Sequence, residues 1–197
     1  MELLLIRHAR PLRAHGGEGP ADPALSPLGL RQAEALADWL AEERLDAIYA
    51  SPLRRARETA APLAAKLGLD VAIDESLREY DADAVEYIPM EDLKAAGDPR
   101  WNEVPDALPE FRERVIDGIE RLVKAHGSER IAVVCHGGVV NVYVAWIVRS
   151  RTELFFLPHY TSISRVLASG SGQRSVDTIN ETAHLRVADV PLVEVSR

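Results

Sequence analysis

The chain has 197 residues, 47% of them hydrophobic, and a formal net charge of −8. That length suits one domain around one core, the composition excludes general disorder, and the acidic balance excludes a nucleic-acid binder that works by overall charge. The apolar runs "IAVV" and "VVNVYVAWIV" fall short of the roughly 20 residues a spanning helix needs, and the N-terminus has no pattern of a secretory leader.

"ELLLIR" opens the chain as a short strand, aliphatic on both faces and therefore buried on both. Ser26-Pro27 gives a helix start, Ser as N-cap and Pro at the first helical position. Leu30, Ala33, Leu36, Ala37 and Leu40 then repeat at helical spacing, predicting a helix to about Glu43. "DAIYAS" is a second strand ended by Ser51-Pro52. A helix from about Leu53 to Leu67 follows, with Gly68 in the terminating position, and "DVAI" is a third short strand.

Residues 79–108 are rich in acidic residues and prolines and read as a cap or lid inserted between core elements. Pro109 starts a helix with Phe111, Val115, Ile119, Leu122 and Val123 on one face, and Gly127 ends it. "RIAVVCHGG" is a buried strand entering a Gly-Gly turn, and a helix runs from Val139 to about Arg149. "SISRVLAS" and "RSVDTIN", joined by "GSGQ", read as a hairpin.

Strands alternating with helices imply an α/β fold, a three-layer α/β/α sandwich with a mainly parallel central sheet. Ligands in such folds bind beyond the carboxyl ends of the strands. Arg7-His8, Ser51 to Arg55 and His136 each follow a strand, so each falls at that edge. Arginines cluster at Arg7, Arg10 and Arg13 and again at Arg54, Arg55 and Arg57, in a chain that is acidic overall. Such clustering points to a small anion in a focused pocket, with solvated arginines on helix faces as the bland alternative.

A transferred phosphoryl group needs fixed cations around its oxygens and a nucleophile in line with the leaving oxygen. Arginine meets the first need with a planar fork that keeps its charge. A neutral imidazole held by one nitrogen can attack with the other, and an acid must protonate the departing alkoxide. No G-x-x-x-x-G-K-[ST] loop, G-x-G-x-x-G fingerprint or G-x-S-x-G elbow is present. No zinc-like Cys/His spacing appears.

"RHA", "LSPLGLRQA", "SPLRRARETA", "LRE" and "CHGG" together resemble, in order, the marker segments of the histidine phosphatase superfamily, the phosphoglycerate-mutase-like family. The resemblance implies His8 as a transiently phosphorylated nucleophile, with Arg7 and Arg55 binding the phosphate oxygens. It implies His136 as the second histidine on the transferred group and Glu79 as general acid. Asp81 and Asp83 lie close enough to stand as alternatives to Glu79. Many members read R-H-G followed by Thr and Asn contacts to phosphate; here Ala9, Arg10, Pro11 and Ala14 stand there, and Arg10 becomes a candidate phosphate ligand in their place. The usual G-x-W-E-G stretch after the acid is replaced by "YDADAVEYIP".

The reading is a metal-independent phosphatase acting on a small phosphorylated metabolite, with no cofactor and no metal site. Two alternatives stay open: a cofactor-dependent phosphoglycerate mutase, and a non-catalytic phospho-ligand binding module. Cys135, the single cysteine, permits no internal disulfide and suits a reducing cytoplasm. Neither nucleic acid nor membrane is expected as a partner, and an exposed apolar edge would suit a homodimer. With His8 neutral and Glu79 protonated, activity should peak on the acidic side of neutral.

Overall fold

Along the first strand, side chains alternate between two separate apolar clusters. Leu3 and Leu5 pack with Val115, Ile119 and Tyr143, while Leu4 and Ile6 pack with Leu36, Leu40 and Leu63; all four leucine and isoleucine side chains are fully buried. Alternation with period two sends each set to its own face of the sheet. The chain thus needs helices on both sides, and the computed structural model has them. It describes residues 1–103 and 108–193.

In chain order the elements are β1 (Glu2–Arg7), β2 (Ala14–His15), α1 (Pro27–Leu40), β3 (Ala47–Ala50), α2 (Arg54–Leu67), β4 (Val71–Ile73), β5 (Glu86–Tyr87), α3 (Met90–Ala95), α4 (Leu108–His126), β6 (Arg130–Cys135), α5 (Gly137–Val148), β7 (Ile163–Ala168), β8 (Arg174–Glu181) and α6 (Ala183–Val187). The main sheet has the order β4-β3-β6-β1-β7-β8. Its first four strands are parallel, β7 runs antiparallel to β1, and β8 antiparallel to β7. Helices α1 and α2 cover one face and α4 and α5 the other, giving the three-layer α/β/α sandwich with a mainly parallel sheet. No helix among the described residues is long and apolar enough to cross a membrane.

Local chemistry sets the element ends. The Ser26 hydroxyl accepts from the Gly29 amide and donates to the Arg10 carbonyl, so the α1 cap also anchors the loop after β1. Helix α1 stops at Leu40, one turn short of the expected Glu43. Helix α2 ends on Gly68 at φ 66°, a left-handed position glycine adopts without strain. Helix α5 starts at Gly137, not Val139, so the expected Gly-Gly turn is its first turn. The segment after residue 79 carries β5, α3 and a 3-10 turn at Pro99–Asn102, and β5 pairs with β2 in a small second sheet. Residues 104–107 of the expected cap lie outside the described residues.

Candidate active site

The parallel strands β1, β3 and β6 end side by side, and each hands its next residues to the same spot. Arg7, His8, Arg55 and Glu79 line one cavity of about 340 Å³, and the His136 ring lies 5.1 Å from that of His8. These five side chains are all buried.

His8 Nδ1 lies 2.8 Å from the Ala9 carbonyl oxygen. A carbonyl only accepts, so Nδ1 carries the proton and Nε2 keeps its lone pair. Burial, then the charges of Arg55 and Arg7, holds the imidazole well below its ordinary pKa. It is therefore neutral near pH 7. The Ala9 amide donates to Thr59 Oγ1, and the Thr59 hydroxyl donates to the Arg55 carbonyl, tying the residue after the nucleophile to helix α2.

His136 Nε2 is 2.8 Å from Ser51 Oγ, which also accepts from the Leu53 amide. The economical arrangement has the Ser51 hydroxyl donating to Nε2, which leaves the proton on Nδ1. That Nδ1 is buried with no partner among the described residues, and so are Nε of Arg7 and Nε of Arg55. Three orphaned nitrogen donors around one imidazole are costly unless an anion meets them. Burial, followed by Arg55 and His8, holds the His136 pKa well below its usual value as well.

Both arginines are held in place by neighbours. Arg7 lies 4.0 Å over the Tyr160 ring, and its Nη1 donates to Glu91 Oε1 at 2.6 Å and to the Pro158 carbonyl at 2.5 Å. Burial pushes the Glu91 carboxyl up, but the charge and hydrogen bonds of Arg7 outweigh it and the net shift is downward. Arg55 lies 4.6 Å over the Tyr87 ring, with Asp81 Oδ1 3.6 Å from its Nη2. Thr161 backs this group at φ 56°, a strained angle for a β-branched residue, and its amide donates to the Arg7 carbonyl.

Glu79 Oε2 accepts from the Gly138 amide at 2.8 Å and Oε1 from the Tyr80 amide at 3.1 Å. The Gly138 amide at the start of α5 thus meets this carboxylate. A Cβ at Gly138 would run into Glu79 Oε1, which explains why glycine stands there. Burial, with the Asp81 carboxylate second, pushes Glu79 up to about 7. Such a group is largely protonated on the acidic side of neutral and can act as an acid there.

Arg10, the further expected phosphate ligand, is buried with its guanidinium 5.9 Å from the Tyr160 ring that Arg7 covers; its Nη2 bonds Asp92 Oδ1 at 2.6 Å, and Arg13 joins the same carboxylate. Asp83 pairs with Arg78 on the surface, away from the acid's position. Ser51 stands at the sheet edge where the sequence places it, whereas Tyr160, Glu91 and Asn141 join the site with no local signal in the sequence. Among the described residues, no cluster of three or more His, Cys, Asp or Glu is placed to hold a metal ion.

The sequence pattern of the histidine phosphatase superfamily (branch 1) matches residues 3–182. Phosphoserine phosphatase 1 of Hydrogenobacter thermophilus is 32% identical, over 69% of this chain and 71% of its own. The metal-independent phosphoserine phosphatase of Arabidopsis thaliana is 26% identical, over 89% and 87%. The crystal structure of the Entamoeba histolytica phosphoserine phosphatase in complex with 3-phosphoglyceric acid superposes with a TM-score of 0.73 at 22% identity, covering 93% of this chain and 98% of that one. That last likeness is one of fold.

Proposed function

The chain belongs to the histidine phosphatase superfamily, and we propose that it hydrolyses a small phosphomonoester in two steps, without a metal ion, through a phosphohistidine at His8. Its relatives named for phosphatase activity make it a phosphoric monoester hydrolase. In the first step His8 Nε2 attacks phosphorus and the ester P–O bond breaks. The Glu79 carboxyl gives its proton to the departing alkoxide oxygen and becomes a carboxylate. In the second step that carboxylate takes a proton from water as the water oxygen attacks phosphorus. The P–N bond then breaks, and inorganic phosphate leaves with His8 neutral again.

The observation that carries this reading is the set of unmet buried donors, Arg7 Nε, Arg55 Nε and His136 Nδ1, around an imidazole whose Nε2 is unprotonated. Donors aimed at the charge that develops on the equatorial oxygens stabilise the transition state. A binding module has no need of an unprotonated imidazole and a raised carboxyl beside those donors. The cationic lining of the phosphate end also disfavours a metal ion, which supports metal independence. Cys135, buried at the end of β6, fits a cytoplasmic setting.

The test is hydrolysis of an aryl phosphate in excess chelator by the wild-type protein and by His8→Ala. Turnover in chelator that falls by at least about a thousandfold in the variant supports the reading. Equal rates, or a rate that appears only with added metal, overturn it. Interconversion of 2- and 3-phosphoglycerate stimulated by a bisphosphoglycerate, with no net phosphate release, would instead make the chain a mutase.

A further inference from the structure

Beyond the phosphate-holding groups, the cavity is walled by Tyr87, Ile88, Met90, Trp101, Phe155 and Leu157. Trp101 and Phe155 keep 38% and 40% of their surface exposed, an unusual allowance for two large aromatic side chains at one cavity. One polar side chain in the wall, Asn141, is fully engaged within the fold. Asn141 donates from Nδ2 to the Gly137 and Phe156 carbonyls and accepts at Oδ1 from the Phe155 and Phe156 amides. All of its hydrogen-bonding capacity is used to clamp the Phe155–Phe156 loop onto α5, so it positions the aromatic wall and has nothing left for substrate.

Charge excludes an anionic leaving group, and the aromatic wall favours an apolar one over a hydrated cation. Among the described lining residues the fixed cations are Arg7 and Arg55 alone, and each already faces a carboxylate, Glu91 at 2.6 Å and Asp81 at 3.6 Å. Glu103 adds a further acidic group to the wall. A carboxylate carried by the leaving alcohol would be desolvated with no cation to answer it. An uncharged apolar body would instead cover Trp101 and Phe155, each methylene-sized increment buried being worth about fourfold in affinity.

We propose that the substrate is the phosphomonoester of an uncharged alcohol with an apolar, ring-bearing body, and that esters bearing a carboxylate are poor substrates. This rests on the phosphatase reading above and deepens it. Tyr87, Met90, Trp101 and Phe155 form the recognition wall, and Asn141 is the positioning residue that holds it.

The test compares primary-alcohol esters, so that leaving-group acidity stays within one class: 2-phenylethyl phosphate, O-phosphoserine, 3-phosphoglycerate and O-phosphoethanolamine. The kcat/KM for 2-phenylethyl phosphate should exceed each of the others by at least about tenfold. Phe155→Lys, a change at a partly exposed position, should shift the ratio of 2-phenylethyl phosphate to 3-phosphoglycerate toward the latter by about tenfold or more. Faster turnover of phosphoserine, 3-phosphoglycerate or phosphoethanolamine than of 2-phenylethyl phosphate overturns this proposal and leaves the phosphatase reading standing. An unchanged ratio in Phe155→Lys also overturns it. Wild-type rates no higher than those of His8→Ala on every ester overturn both.

Discussion

Replacing Glu79 by Gln separates proton donation from everything else the carboxyl does. With a pKa of about 7, Glu79 is roughly 90% protonated at pH 6, whereas a carboxyl at the ordinary value of 4.5 would be about 3% protonated. The fold therefore supplies about thirty times more acid than an exposed glutamate would. Glutamine keeps the shape but cannot give up a proton. It has one acceptor oxygen for two amides, Gly138 and Tyr80, so one donor loses its partner at a cost of about 1–3 kcal/mol. A domain with the usual 5–15 kcal/mol of stability remains folded.

The assay is the dependence of kcat/KM on the leaving group. An alkyl phosphate, whose alkoxide leaves badly, should lose about a hundredfold to ten-thousandfold in Glu79→Gln. p-Nitrophenyl phosphate, whose phenolate leaves without help, should lose less than about tenfold. Equal losses on both esters would refute the assignment of Glu79 as the acid. Circular dichroism of the variant separates that outcome from unfolding.

Other expectations follow from the same geometry. The wild-type kcat/KM should fall as pH rises through about 7, where Glu79 loses its proton, and Asp81→Asn should move that alkaline limb to lower pH because a carboxylate that raises Glu79 is gone; a limb that stays put would contradict the coupling. Gly138→Ala places a methyl against the Glu79 carboxyl and should cut alkyl phosphate hydrolysis by at least about tenfold, read by steady-state kinetics, while burial of the phosphate site is untouched. His184 donates from Nε2 to Thr161 Oγ1 and is pushed down to about 4 by burial. The unfolded chain then binds the extra proton between pH 6.5 and 4, so stability falls as pH drops through that window, by about 2 kcal/mol from this group at pH 5. Urea unfolding of His184→Gln at pH 7 and pH 5 should show a smaller loss on acidification than wild type.

Much of this was legible in the sequence, and the reasons are local. Arg7, His8 and His136 directly follow aliphatic runs, and a strand's end in a parallel sheet is a fixed place. Ser26, Pro27 and Gly68 name their helix ends through side-chain chemistry. What the sequence hid depends on contacts between distant segments. Glu91 reaches Arg7 from α3, a six-residue helix too short to show periodicity, and β2 and β5 are two residues each. Tyr160 lies under Arg7 from an irregular loop before β7. The carboxylate that Arg10 meets, Asp92, stands 82 positions away, so that pairing leaves no local trace in the sequence. Asn141 sits inside an apolar helix, where its spacing says nothing of the loop it clamps.

The central claim concerns one nitrogen. His8 Nδ1 is committed to the Ala9 carbonyl, so the phosphoryl group must arrive on Nε2. Acid-free quenching during turnover, followed by phosphorus NMR of the denatured protein and mass mapping of the modified peptide, reads both residue and atom. The account predicts a single base-stable phosphoramidate on His8 Nε2, absent from His8→Ala. Phosphate found on Nδ1 or on any other residue, or turnover of p-nitrophenyl phosphate by Glu79→Gln with no phosphoenzyme detectable under single-turnover conditions, would contradict it.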